Sequence, residues 1–156
     1  MDDNMYMEKV LACERKLYRV AYSMLLNEFD AADAIQEAVM KGWVHRNALR
    51  ESERFDAWLM RILVNECRNI QRRWKRRGEP LDEAIPAPEN TVDPDLREAL
   101  FSLPGKFRTP LVLHHVEGYS LREIARILKI PETTVKSRLH QARAALKQAL
   151  SPEVKP

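Results

Sequence analysis

The sequence predicts an all-α protein made of two small helical domains joined by a flexible linker. Three observations carry the prediction. Apolar residues recur at three- and four-residue spacing through most of the 156 residues, no convincing alternating strand interrupts them, and a proline-rich acidic stretch divides the chain. Charge follows the same division. Residues 1–77 carry 15 basic and 12 acidic side chains (+3), residues 78–94 carry no basic and five acidic (−5), and residues 95–156 carry 11 and six (+5). Two basic blocks around an acidic connector suit two modules that meet a polyanion and a linker that does not.

In the first block, Leu17, Val20, Ala21, Met24 and Leu25 form one apolar stripe. Ile35, Ala38, Val39, Gly42 and Trp43 form a second, and Phe55, Trp58, Leu59, Ile62 and Leu63 a third. Three amphipathic helices of this kind can close a small core. Asp30 suits the N-cap of the second helix, and Ser52 or a neighbour that of the third. The stretch from Gly78 to Pro94 shows no sustained helical period and reads as the linker.

In the second block, Leu96, Leu100 and Leu103 lead to Pro104 and Gly105. Pro110 then suits the first turn of a helix that runs through Leu113 and Val116 and stops at Gly118. Ser120 and Glu123 have the spacing of a capping box that opens the next helix, whose inward residues are Leu121, Ile124, Ala125 and Leu128. A short break at Lys129, Ile130 and Pro131 leads to a last helix carrying Val135, Leu139, Ala142 and Leu146. Two helices joined by so tight a turn make a helix-turn-helix.

The polar faces carry the functional signal. On the last helix, Thr133, Lys136, Ser137 and His140 share the side opposite Val135 and Leu139, with Gln141 adjacent and Arg143 beyond. Hydroxyls, amides and cations are the groups that bond phosphate oxygens and base edges in a major groove. A solvated surface would look the same, but the capped helix and tight turn before it favour a recognition helix. On the third helix, Arg61, Asn65, Arg68, Asn69 and Arg72 share a face followed by Arg73, Trp74 and more cations. That face suits partly single-stranded nucleic acid. Its aromatics, Phe55 and Trp58, are better placed as core than as stacking platforms. Asp33, Gln36 and Glu37 lie together on the second helix and, from the residues alone, read as a solvated face.

Other classes fit less well. No apolar run reaches the roughly 18 residues of a membrane span, and the acidic start lacks the pattern of a signal peptide, so a cytoplasmic protein without direct membrane insertion is expected. Cys13 and Cys67 belong to no C-x-x-C pair and read as small buried residues. His45, His114, His115 and His140 have no metal-ligand spacing, and Gly118 belongs to no phosphate loop; no metal, cofactor or catalytic residue is expected. A helix-turn-helix regulator acting at an operator is the alternative. It predicts a dimer on a palindrome, and the chain shows no coiled-coil seam.

Asp30-Ala-Ala-Asp-Ala-Ile-Gln-Glu-Ala-Val-Met-Lys-Gly-Trp43 and Phe55-Asp-Ala-Trp-Leu-Met-Arg-Ile-Leu-Val-Asn-Glu-Cys-Arg-Asn-Ile70 resemble region 2 of the extracytoplasmic-function (ECF) sigma factors of bacterial RNA polymerase. Gly118-Tyr-Ser-Leu-Arg-Glu-Ile-Ala125 and Thr134-Val-Lys-Ser-Arg-Leu139 resemble their region 4. The resemblance implies a non-enzymatic subunit that binds core polymerase, through its β′ clamp and β subunits, and directs promoter recognition, DNA opening and initiation. It implies that Asp33, Gln36 and Glu37 dock on the β′ clamp helices. Asn65, Arg68 and Asn69 match the segment that reads and opens the −10 element, and Arg61 and Arg72 of the same face, with Arg73 just after it, complete that candidate set. The loop from Leu49 to Arg54 matches the segment that holds a flipped-out base. Thr133, Thr134, Lys136, Ser137, Arg138, His140, Gln141 and Arg143 become candidates for the −35 element. The linker would thread toward the RNA exit path, and an anti-sigma protein is a possible further partner.

Overall fold

The computed structural model describes residues 1–51, 53–78 and 94–150. Every regular element among them is helical. The N-terminal unit holds α1 (Asp3–Ala12), α2 (Glu14–Leu25), α3 (Glu28–Val44), a 3-10 turn (Arg46–Ala48) and α4 (Phe55–Arg77). The C-terminal unit holds α5 (Pro94–Phe101), α6 (Gly105–Leu111), a π-helical turn (Val112–Val116), α7 (Leu121–Leu128) and α8 (Glu132–Ala149). The acidic linker proposed between the units, and Ser52 as a cap, fall largely or wholly outside the described residues. No helix among those described is long and apolar enough to cross a membrane.

The stripe from Leu17 to Leu25 is buried; of the other two, Ala38, Gly42, Trp58, Leu59 and Leu63 are buried while Ile35, Val39, Trp43, Phe55 and Ile62 are half-buried against the core, because α3 turns Ala31, Ala34 and Ala38 inward where it packs along α4. Trp58 and Trp74 both belong to this core, as do Cys13 and Cys67. One element was not foreseen. Helix α1 is capped by Asp2, whose side chain accepts from the Met5 N–H at 2.9 Å, and it buries only Tyr6 and Val10, too few apolar positions to form a visible stripe. The cap of α3 is also displaced from the expected Asp30. Asn27 accepts from the Asp30 N–H at 3.0 Å, one turn earlier, because Leu26 takes a left-handed conformation that ends α2 and leaves Asn27 extended at the helix mouth.

In the C-terminal unit the capping box is present in both directions. The Glu123 N–H donates to Ser120 Oγ at 3.1 Å, and the Ser120 N–H to Glu123 Oε1 at 3.0 Å. Lys129, at φ 57°, turns the chain, and the Ile130 N–H closes on the Ala125 carbonyl at 3.1 Å before α8 begins. Pro110 is not in a first turn. Helix α6 starts at Gly105, so Pro110 lies inside it and removes one rung of the hydrogen-bond ladder; the helix then widens into the π turn, where Glu117 N–H reaches Val112 O at 3.0 Å.

The two units share one continuous apolar core. Helix α2 meets α6, and α4 meets α7. Ile127, which lies off the inward stripe of α7, is buried and lines a shallow cleft with Ala57, Trp58 and Arg61 of α4. Tyr22 and Phe101 meet edge to face at 5.7 Å. Arg108 is 1% exposed, and its guanidinium donates to the carbonyls of Ser23 in α2 and Leu103 in its own unit.

Candidate nucleic-acid interface

Helix α8 buries Val135, Leu139 and Ala142 and turns Thr133, Lys136, Ser137, His140, Gln141 and Arg143 to solvent. The polar face expected of a recognition helix is therefore assembled. Gln141 Nε2 donates to Ser137 Oγ at 3.1 Å, and Arg143 Nε donates to His115 Nε2 at 3.2 Å. That second bond needs an unprotonated His115 nitrogen. Burial, the His114 ring at 4.8 Å and the Arg143 charge all push the His115 pKa below its ordinary value. Thr134 and Arg138, also in the candidate set, are half-buried.

Helix α4 presents Arg61, Asn65, Arg68 and Asn69 on a half-buried face, with Arg72 and Arg73 exposed beyond it. Arg72 Nη2 donates to Asn69 Oδ1 at 2.6 Å, and Arg61 Nη2 lies 3.7 Å from Glu53 Oε2. Part of this face is covered by the other unit. Arg61 joins Glu123, Arg126 and Ile127 in lining the cleft, and Arg68 lies near Arg138 of α8. Burial, followed by the charges of Arg138 and Arg72, lowers the Arg68 pKa, which marks a concentration of positive charge there. The loop after the 3-10 turn ends at Arg54, which bonds Asp56 and Glu123.

Helix α3 exposes Asp33, Gln36 and Glu37 together. The same side carries Phe29, 81% exposed, Met40 and Val44. Sequence reading did not single out these three. Their signal was available, because large apolar residues at positions 29, 40 and 44 share the helical face of Asp33 and Glu37 and are off the core stripe. A mixed acidic and apolar strip of this kind suits a protein partner more than nucleic acid. Among the described residues no group of three or more His, Cys, Asp or Glu side chains could hold a metal.

A helix-turn-helix with an exposed cationic recognition face, joined to a second helical unit with its own cationic helix, defines a DNA-binding protein of two regions. Comparison with known proteins then fixes its family. Residues 10–78 match Sigma-70 region 2 and residues 94–146 match Sigma-70, region 4. The chain is 31% identical to the ECF RNA polymerase sigma factor SigW of Bacillus subtilis, over 96% of this chain and 90% of that protein. It is 34% identical to the ECF RNA polymerase sigma factor SigM of Mycobacterium tuberculosis, over 87% of this chain and 72% of that protein. The fold matches the sigma factor RpoE of Bartonella quintana, solved in complex with the anti-sigma factor NepR, at a TM-score of 0.81 and 26% identity, covering 97% of this chain and 98% of that one. The chain belongs to the ECF group of RNA polymerase sigma factors. Its function is that of a sigma factor, and the operator-binding regulator is not favoured.

Proposed function

We propose that this sigma factor divides its work among three helical faces. Residues 1–77 act as region 2, residues 95–156 as region 4, and residues 78–94 as their connector. The acidic and apolar face of α3, with Asp33, Gln36 and Glu37, docks on the β′ clamp of core polymerase. The α4 face, with Arg61, Asn65, Arg68, Asn69, Arg72 and Arg73, takes the −10 element as it opens. The α8 face, with Thr133, Thr134, Lys136, Ser137, Arg138, His140, Gln141 and Arg143, reads the −35 duplex. The subunit catalyses nothing itself in this reading, and it works in the cytoplasm, where polymerase is.

One observation supports the reading: the cationic faces lie on helices of different regions, α4 and α8, while the exposed acidic residues Asp33 and Glu37 lie on a third helix, α3. Cations meet phosphate and the acidic strip meets protein. Because the sigma factor of B. quintana was solved with an anti-sigma factor, we also propose a protein inhibitor of that kind for this chain. Co-purification from the native host should recover it, and its absence under every growth condition would remove that part.

The test of the main reading mixes the protein with sigma-free core polymerase and follows complex formation by gel filtration, then initiation on a promoter library. A stable complex and selective initiation are expected for the natural chain. Asp33→Lys with Glu37→Lys should weaken the complex about tenfold or more, as expected when like charges meet at an interface. Unchanged binding by that double variant would refute the assignment of α3.

A further inference from the structure

Arg143 is exposed on the polar face of α8 and yet is bonded outside its own helix. Lys136, His140 and Arg143 follow one another at four- and three-residue spacing, so all three share one stripe, with Arg143 toward its C-terminal end. Recognition helices meet base edges near their N-termini, which places Arg143 where the DNA backbone would pass. A free surface arginine has rotamer freedom to lose when it binds. Arg143 has given up part of that freedom already, because its Nε donates to His115 Nε2 at 3.2 Å. The bond engages the inner nitrogen of the guanidinium. The two terminal nitrogens, Nη1 and Nη2, form the outer edge, and two parallel N–H groups suit two oxygens of one phosphate.

The histidine that holds Arg143 is itself held. His115 lies on the π turn, whose Val112 and Leu113 are buried, so its backbone is fixed in the core although its ring is exposed. The Glu117 N–H reaches the Val112 carbonyl and the Tyr119 N–H the Leu113 carbonyl, both at 3.0 Å, and this wider winding gives the two imidazoles a bearing that an α-helical turn would not. His114 Nδ1 donates to the Tyr119 carbonyl at 2.9 Å, since a carbonyl oxygen can only accept, and that bond fixes the His114 ring. His114 then meets the His115 ring edge to face at 4.8 Å. Burial, the His114 ring and the Arg143 charge lower the His115 pKa, so at neutral pH its Nε2 lone pair is available to accept.

We infer that His115, backed by His114, is a positioning residue for DNA recognition: it holds the Arg143 guanidinium with its outer edge turned to a backbone phosphate of the −35 duplex. The inference rests on the assignment of α8 to that duplex. His115 acts through Arg143 and reads no base. Its effect is on register, because a phosphate contact fixed at one end of the polar face sets where Lys136, Ser137 and His140 fall along the groove. Pre-ordering also strengthens binding, since less side-chain freedom remains to be lost.

The experiment measures binding of the full chain to a short random-sequence DNA duplex by fluorescence anisotropy at low salt, which reads phosphate contacts without needing the promoter sequence. The natural chain is compared with His115→Leu, which fills the space without an acceptor, and His115→Gln, whose side-chain oxygen can accept in place of Nε2. At about pH 7.5 these three proteins carry the same charge, so differences among them do not report bulk electrostatics. His115→Leu should weaken binding about fivefold, the change expected from restoring freedom to one long side chain. His115→Gln should stay within about twofold of the natural chain, a rescue that a purely space-filling role would not give. In an Arg143→Ala background, which itself weakens binding, His115→Leu should change nothing further. Unchanged thermal unfolding of the variants separates the effect from misfolding. A His115→Leu chain that binds like the natural one, a Gln variant as weak as the Leu variant, or an equal loss in the Arg143→Ala background would overturn the positioning role. Duplex binding that Arg143→Ala leaves unchanged would remove the α8 contact at Arg143 and the inference with it, so the two failures are distinguishable.

Discussion

Replacing Gly42 with alanine tests the packing that seats α3 against α1 and α4. A Cβ built at Gly42 runs into the Tyr6 hydroxyl, comes within 3.0 Å of Leu59 Cδ1 and touches the Trp58 ring at 3.5 Å. That hydroxyl is itself committed, donating to the Val39 carbonyl at 2.6 Å. Overpacking a filled core costs about 2 kcal/mol, and losing the buried hydrogen bond adds about 1 kcal/mol. Alanine returns about 1 kcal/mol through its better helix propensity. The net expectation is a loss of about 2 kcal/mol, which for a chain of this size lowers Tm by about 6 °C. Thermal unfolding followed by circular dichroism measures it. In a Tyr6→Phe background the obstructing oxygen is gone, so Gly42→Ala should cost about 1 kcal/mol less than in the natural chain. An unchanged or raised Tm for the single variant would refute the argument, because it would mean that Tyr6 yields its place and its bond at no cost.

Two further outcomes are expected. Ser120→Ala removes half of the capping box at the start of α7 and should cost about 1 kcal/mol, read as a Tm lowered by about 3 °C; no change would mean that Glu123 alone caps the helix. Acid should release the joint between the regions. Burial disfavours the Asp56 charge, but Lys16, Tyr119 and Arg54 more than offset it and hold its pKa below the ordinary 3.8. A carboxylate lowered in the folded state stabilises in full above its unfolded value and loses that contribution as pH falls through the folded one. Scattering should therefore report a compact chain from about pH 8 to about pH 5 and expansion only below about pH 4. Expansion near pH 6 would assign the transition to a histidine instead.

Much of the fold was legible because helical periodicity is a local property. The stripes at Leu17, Ile35, Phe55, Ile124 and Val135 each mark a face that needs burial, and a tight turn after a capping box leaves few arrangements for α7 and α8. The exposed polar face of α8 was readable for the same reason, since Lys136, Ser137 and His140 are opposite Val135 and Leu139 on any helix. Where local signals were thin, the reading failed. Helix α1 has two buried residues and no stripe, and Pro110 in isolation looks like a first-turn residue although Gly105 had already opened the helix.

The sequence by itself determined the amphipathic helices, the capping box of α7 and which side chains face away from each core, because these depend on residues within a turn or two of one another. Only the tertiary structure decided how the two regions meet. Arg19 finds Glu117, Tyr119 finds Asp56 and Ile127 packs against α4 across long stretches of chain, and no periodicity records a partner so distant. Arg61 illustrates the consequence: its place on the polar face of α4 follows from spacing, but its place in a cleft lined by Glu123, Arg126 and Ile127 of α7 follows from docking, which depends on shape and charge brought together only in three dimensions.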